Sequence, residues 1–115
     1  QHPLNRLGQE RALRWQLEQQ PELVAMASVV PAEPPQPRPN LKDPIPCVAA
    51  GVDVDGSPHR IVCSVGVDLD LVGYVADVQL ADELPVVVAL HERDHVSIIR
   101  ELLALLAEPV DVRIV

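Results

Sequence analysis

Aromatic side chains are nearly absent from this chain of 115 residues: they make up 2% of it, with one Trp, one Tyr and no Phe. Hydrophobic residues nevertheless make up 48% of the chain, which is enough to form a core. That core must be aliphatic, and it buries less area per residue than a core that contains rings. The length fits a single domain.

Positive charge is also scarce. Lys42 is the only lysine, no basic run occurs, and the formal net charge is −8. Proteins that bind nucleic acid gain affinity by placing Lys and Arg against phosphates, so we expect no nucleic-acid partner. The preference for Arg over Lys, together with abundant Ala, Val and Asp, is typical of a high-GC bacterial genome, and we expect a bacterial source.

Long apolar runs and a cysteine framework are missing as well. No stretch approaches the roughly 18 apolar residues that a membrane helix needs, and no signal peptide is visible. We therefore expect no membrane contact and a cytoplasmic location. Two cysteines, Cys47 and Cys63, are too few for a disulfide framework, and both are predicted to be buried, reduced thiols.

The first part of the chain is predicted to be helical. A helix is expected over 5–20, with Asn5 as its N-cap and with Leu13 and Leu17 on one face. Pro21 suits the first position of a second, short helix over 21–28.

Proline dominates the segment that follows. Seven prolines fall within 31–46, and they exclude both a helix and a central strand. An extended connector is predicted here, and a PxxP ligand for a partner is the alternative. The expected organisation is an N-terminal helical segment over 1–30, the connector over 31–46 and an α/β core over 47–115, all within one domain.

The remaining segment alternates strand and helix patterns. Two Val-rich runs flank Asp55-Gly56, a strong turn signal, and predict a β-hairpin that places Cys47 and Cys63 within about one residue of facing positions. The sequence thus predicts an α/β fold in which an N-terminal helix, a hairpin and then α-β-α-β form a small mixed sheet flanked by helices. The expected ranges are 47–66 for the hairpin, 68–83 for the next helix, 86–90 for a central strand, 94–108 for the last helix and 110–115 for the last strand.

One string invites a catalytic interpretation. His91-Glu92-x-x-His95 matches the zinc-protease signature, which needs both imidazoles on one helical face. A helix that includes His91 would extend into the β-branched run Val86–Val88, which disfavours helix. We therefore expect residues 86–90 to form a strand, with the helix starting at 93–95 behind Asp94 as its cap.

A second hypothesis is a divalent-cation site beyond the carboxyl ends of the strands, where ligands bind in open α/β sheets. Its candidate ligands carry carboxylate or imidazole groups, which can hold such a cation. The alternative, which we favour, is that each aspartate caps its own helix. The candidates are Asp68, Asp70, His91, Asp94 and His95. No catalytic residue and no cofactor are predicted, and Ser57 and Ser64 lack a Gly-x-Ser-x-Gly elbow.

The segment 46–66 resembles the central unit of PD-(D/E)XK nucleases, which run helix, strand with Pro-Asp, turn, strand with Glu-x-Lys, helix and strand. Pro46 stands at the Pro position, and Cys47 stands in place of the metal-binding Asp. Cys63 and Val65 stand in place of the Glu and the Lys, and only Glu10 matches the upstream acid. The resemblance implies a nuclease-like fold whose catalytic residues are not retained.

Two functions follow as hypotheses. The first is a non-catalytic module for protein interaction or self-association, and the second is a metal-dependent hydrolase that uses residues around 91–95. The apolar residues of the last helix, 94–108, span more than one narrow stripe, which favours a homodimer. The alternative is that the arm 31–46 covers that side and keeps the chain monomeric.

Overall fold

The computed structural model describes residues 3–32, 47–65, 71–82, 84–91, 97–106 and 110–115, and for residues 3–8, 82 and 97–99 it describes the backbone alone. Helices and a mixed sheet occur within these ranges, so the predicted α/β class is confirmed. The helices are α1 (Pro3–Gln19), α2 (Leu71–Asp82) and α3 (Ser97–Leu103), and the strands are β1 (Ser28–Ala32), β2 (Cys47–Val52), β3 (Pro58–Cys63), β4 (Val86–Leu90) and β5 (Asp111–Ile114).

The five strands form one sheet in chain order, from β1 at one edge to β5 at the other. β1, β2 and β3 are antiparallel neighbours, whereas β3, β4 and β5 run parallel. Within the described sheet, β2 therefore runs against the other four strands. α2 and α3 supply the crossovers that parallel neighbours require.

Helices pack on both faces of this sheet. α1 lies on one face, where Leu13 and Leu17 are buried against Ala49 and Ile61. α2 and α3 lie on the other face, where their apolar side chains meet the strands. The core is aliphatic, as the composition predicts. On the face covered by α2 and α3, the core side chains that are at most 2% exposed are Val48, Val62, Leu71, Val75, Val78, Val86, Val88, Leu90 and Leu103.

The predicted hairpin is confirmed, and its turn has a clear local cause. The Asp53 carboxylate accepts hydrogen bonds from the main-chain N–H groups of Asp55 and Ser57, both at 2.9 Å. Gly56 has φ +85°, a conformation that L side chains rarely adopt. The turn therefore needs Asp53 and Gly56 at these positions, and it sets the register of β2 against β3.

The N-terminal part of the chain differs from the prediction in two places. α1 begins at Pro3, so Asn5 lies inside the helix and its assignment as the cap is wrong. Only Pro21–Val24 of the predicted second helix is helical, as a 3₁₀ turn that ends where Ala25 has a left-handed φ of 59°. The chain then enters β1, a strand that the sequence analysis missed.

β1 also takes in the start of the predicted connector. Pro31 and Ala32 pair with Ala49 and Val48 of β2. The rest of the connector, 33–46, lies outside the described residues, and the division into three segments stays a prediction.

α3 is shorter than its apolar periodicity predicts. It ends at Leu103, so the expected end at 108 is wrong. The N–H groups of Leu105 and Leu106 bond to carbonyls three residues back, at 3.1 and 3.2 Å, which tightens the chain into turns. The predicted start at 93–95 falls within 92–96, outside the described residues.

The outer edge of β1 lacks a backbone donor at one position. Asp53 donates its N–H to the Ser57 carbonyl, so the odd-numbered residues of β2 turn their amide groups toward β3. Ala49 is one of these, so Pro31, which faces it in register, turns its amide nitrogen away from the sheet. Because proline has no N–H, pairing with a further strand is opposed there.

Among the described residues, none of the helices combines the length and the apolar character needed to cross a bilayer.

A close contact across the sheet leads to a first testable prediction. A Cβ atom on Gly51 would lie 2.9 Å from Ile61 Cδ1 and 3.0 Å from Met26 Sδ. We expect Gly51→Ala to lower the free energy of unfolding by about 1 kcal/mol, because these flexible side-chain ends must shift. Ile61→Val removes Cδ1, so urea unfolding of the double variant should show a loss smaller than the sum of the single losses.

Gly73 provides the matched control, because a Cβ atom there would meet nothing within 4 Å. Gly73→Ala should raise the free energy of unfolding by about 0.5–1 kcal/mol, since Ala is the better helix former. Strict additivity of Gly51→Ala and Ile61→Val would contradict the packing argument.

Candidate functional site

Several strands begin or end at one edge of the sheet, where the parallel strands have their carboxyl ends. β3, β4 and β5 all end at this edge, and the antiparallel strand β2 begins there with Cys47. Ser64 and Val65 follow β3, and His91 follows β4. We call this region the carboxyl edge, and it is the place where open α/β sheets bind ligands.

α1 contributes two charged side chains next to this edge. Glu10 is 0% exposed, and its Oε2 accepts a hydrogen bond from the buried N–H of Val65 at 3.4 Å. One turn later, Arg14 donates from Nη1 to the carbonyl of Val48 on β2 at 3.2 Å. Both residues share the sheet-facing stripe of Leu13 and Leu17, so the helix packs polar groups against the strands as well as apolar ones.

The two cysteines are direct neighbours across the hairpin. Cys47 and Cys63 are partners in the antiparallel register and belong to the same core cluster beneath α1. The predicted facing positions are therefore confirmed. Both thiols are free and buried, with exposures of 6% and 0%.

The surroundings of Cys63 disfavour its reactive, ionised form. Burial raises the pKa of Cys63, and the charges of Cys47, Glu10 and Glu18 raise it further, while Arg14 opposes them. The thiolate is the reactive form, so the neutral Cys63 thiol is a poor nucleophile near neutral pH.

Ser64 offers no better nucleophile. Its hydroxyl is buried and has no hydrogen-bond partner among the residues that the structure describes. No described imidazole or carboxylate is therefore placed to accept its proton, which nucleophilic catalysis by Ser requires.

His91 is the one member of the two metal hypotheses that falls within the described residues. It directly follows the confirmed strand β4, it is half-buried, and its Nδ1 lies 3.3 Å from the main-chain oxygen of Val115. The residue is not helical, so it does not share a helical face with His95 as the zinc-protease signature requires.

The other proposed cation ligands cannot be placed beside it. Asp68, Asp70, Asp94 and His95 lie outside the described residues, so the cation site and the helix caps proposed for these aspartates stay predictions. Within the described ranges, no group of three His, Cys, Asp or Glu side chains could hold a metal ion.

A magnesium centre does not fit the described part of the carboxyl edge. Mg²⁺ takes oxygen ligands in octahedral geometry and keeps several bound waters. The Cys63 thiol lies near the buried Glu10 and faces Cys47 across the hairpin, and thiols suit softer metals. Val65 is 1% exposed and closes the place where the resemblance would put the lysine.

Sequence reasoning identified Glu10 only through the family resemblance and missed Arg14. The signal was present, because residues 10, 13, 14 and 17 form one helical stripe and two of them are charged. A charged residue on a stripe that must be buried indicates a specific partner, since such burial is costly without one.

No family model, curated protein or solved structure matches this chain. What the carboxyl edge can do therefore follows from its own residues and their geometry.

Proposed function

We propose that this chain is a non-catalytic domain with a nuclease-like layout that acts by protein contact, and that its first partner is a second copy of itself. The proposal takes over the resemblance to PD-(D/E)XK proteins, with α1, the hairpin, α2 and β4 in the corresponding places, and the net charge of −8 fits the loss of nucleic-acid handling. The proposal places the domain in a reducing cytosol, where facing thiols stay free.

One observation carries the non-catalytic part of the proposal. The positions that would hold the acid cluster and the lysine are occupied by Cys47, Cys63 and Val65, whose exposed fractions are 6%, 0% and 1%. A hydrolytic metal site must admit substrate and water to its ligands. This part of the domain is packed instead as core, so Glu10 serves to fix the end of β3.

Purified protein is expected to cleave neither DNA nor RNA in Mg²⁺ or Mn²⁺, and to contain well below one zinc per chain. Mg²⁺ and Mn²⁺ need oxygen ligands, whereas the described carboxyl edge offers soft, buried thiols. For zinc, the reason is that no group of three His, Cys, Asp or Glu side chains among the described residues could hold a metal ion. Gel-based cleavage assays and elemental analysis test this. Cation-dependent cleavage that disappears in Glu10→Gln would overturn the proposal, as would one zinc per chain that is lost in His91→Ala.

Exposed apolar side chains support the self-association part. Leu80 of α2 and Leu105 after α3 are each 80% exposed, and Ile114 of β5 is 43% exposed. Light scattering at micromolar concentration is expected to approach twice the chain mass of 12.6 kDa. A single-chain mass that persists on concentrating would refute self-association.

A further inference from the structure

β5 is the strand at one edge of the described sheet. It pairs with β4 on one side, and no described strand pairs with it on the other. Val115 donates its N–H to the Leu90 carbonyl at 2.8 Å, so the odd-numbered residues of this segment turn their amide groups toward β4. The even-numbered residues, Val110, Val112 and Ile114, consequently turn their N–H and C=O groups outward.

If β5 pairs antiparallel with β5 of a second copy, one register places complementary side chains opposite each other. Centring the pair on Val112 places Asp111 opposite Arg113 of the second copy, and Val110 opposite Ile114 of the second copy. Asp111 and Arg113 are both exposed, and their side chains lie 2.8 Å apart within one chain. Both side chains therefore lie on the same face of the sheet, where they can contact a second copy. Val112 then forms a hydrogen-bonded pair with its own copy through the outward amide groups.

Neighbouring registers are disfavoured by charge. A centre on Arg113 would place two arginines opposite each other, and a centre on Asp111 would do the same with two aspartates. Like charges directly opposite each other destabilise strand pairing, whereas opposite charges stabilise it. The register centred on Val112 is the one among these three that joins unlike charges twice.

A groove with a mixed apolar and charged lining lies beside the same edge. It has a volume of about 530 Å³ and runs between the end of α3 and β5. Val112 packs toward this side of the sheet, and Ile114, two residues later on the strand, faces the same way. In the Val112 register, Ile114 of the second copy comes to lie against Val110 at the groove. Its lining residues are Arg100, Leu103, Ala104, Leu106, Val110, Asp111 and Val112.

We infer that two copies of this chain associate by antiparallel pairing of their β5 strands about a twofold axis at Val112, which joins the two five-stranded sheets into one. The inference rests on the proposed self-association and names its surface. The pairing buries the Ile114 side chain, satisfies the outward backbone groups of β5, and sets two Asp111–Arg113 pairs across the axis.

Charge reversal tests this pairing without relying on one variant. Asp111→Arg and Arg113→Asp each create two like-charge pairs across the axis, so each variant alone should dissociate about tenfold more readily or worse, as measured by sedimentation equilibrium. Mixing the two variants sets two positive side chains of one copy opposite two negative side chains of the other, and should restore the dimer. Arg11→Asp on the exposed side of α1 is the charge-matched control for Arg113→Asp and should dimerise like the parent.

The outcomes separate the inference from the proposed function. A parent dimer that survives in both single variants refutes β5 pairing and leaves self-association standing. A parent chain that remains monomeric at every concentration refutes both. Two weakened variants that fail to associate on mixing, while circular dichroism shows each of them folded, also refute the Val112 register.

Discussion

Replacing Glu10 by Ala is expected to lower the free energy of unfolding by about 2–4 kcal/mol, because the buried N–H of Val65 loses its acceptor and a cavity opens beneath α1. The Oε2 atom lies 3.4 Å from that N–H, and the Glu10 side chain has no exposed surface through which water could substitute. Urea unfolding followed by circular dichroism measures the loss.

Two further variants show which property of Glu10 matters. Glu10→Gln keeps an acceptor for Val65 and lacks the charge, so its loss should stay below about 1 kcal/mol. Arg11→Ala changes the neighbouring, exposed residue of α1 and should be within about 0.5 kcal/mol of the parent. Equal losses for Ala and Gln would mean that charge, and not the hydrogen bond to Val65, is what this position supplies.

The second large effect concerns alkaline pH. In the unfolded chain, Cys63 ionises above its ordinary pKa of 9.0, whereas burial raises the pKa in the folded protein, so the native thiol keeps its proton. Above pH 9 the unfolded state therefore binds fewer protons than the native state, and stability falls as pH rises. While the native thiol keeps its proton, the expected slope is about 1.4 kcal/mol per pH unit.

Comparison with Cys63→Ala isolates this contribution from other groups that titrate in the same range. Unfolding free energies of the parent and the variant, measured between pH 8 and pH 11, should differ only by a constant below pH 9. Above pH 9 the parent should decline more steeply. Parallel curves across the whole range would show that the Cys63 thiol does not remain protonated in the native state.

The sequence predicted those elements whose cause is local. Gly56 and the Asp53 carboxylate shape the hairpin turn within a few residues, and the alternation toward Cys47 and Cys63 follows from that turn. The run Val86–Val88 disfavours helix by its own branching, so β4 could be identified without any partner.

The features that could not be predicted from the sequence depend on contacts between residues far apart in the chain. β1 is a strand because Ser28–Ala32 pairs with β2, about twenty residues further along the chain. The helix-like sequence before it and Pro31 within it both argue against a strand, so the pattern did not predict one. Glu10 meets Val65 across 55 positions of sequence. α3 was predicted too long because Leu106 packs against the core from a turn as well as it would from a helix, so apolar spacing does not mark where the helix ends.

Pro31 limits how far an assembly of this domain can grow. In the dimer proposed above, the described strands of the combined sheet end on both sides at β1, where the Pro31 nitrogen carries no hydrogen to donate. The contact is isologous, so it uses the same surface on both copies and leaves no second attachment point of its kind. Exposed edges of Val-rich strands can template further pairing, and this placement of one proline favours a closed pair over a polymer.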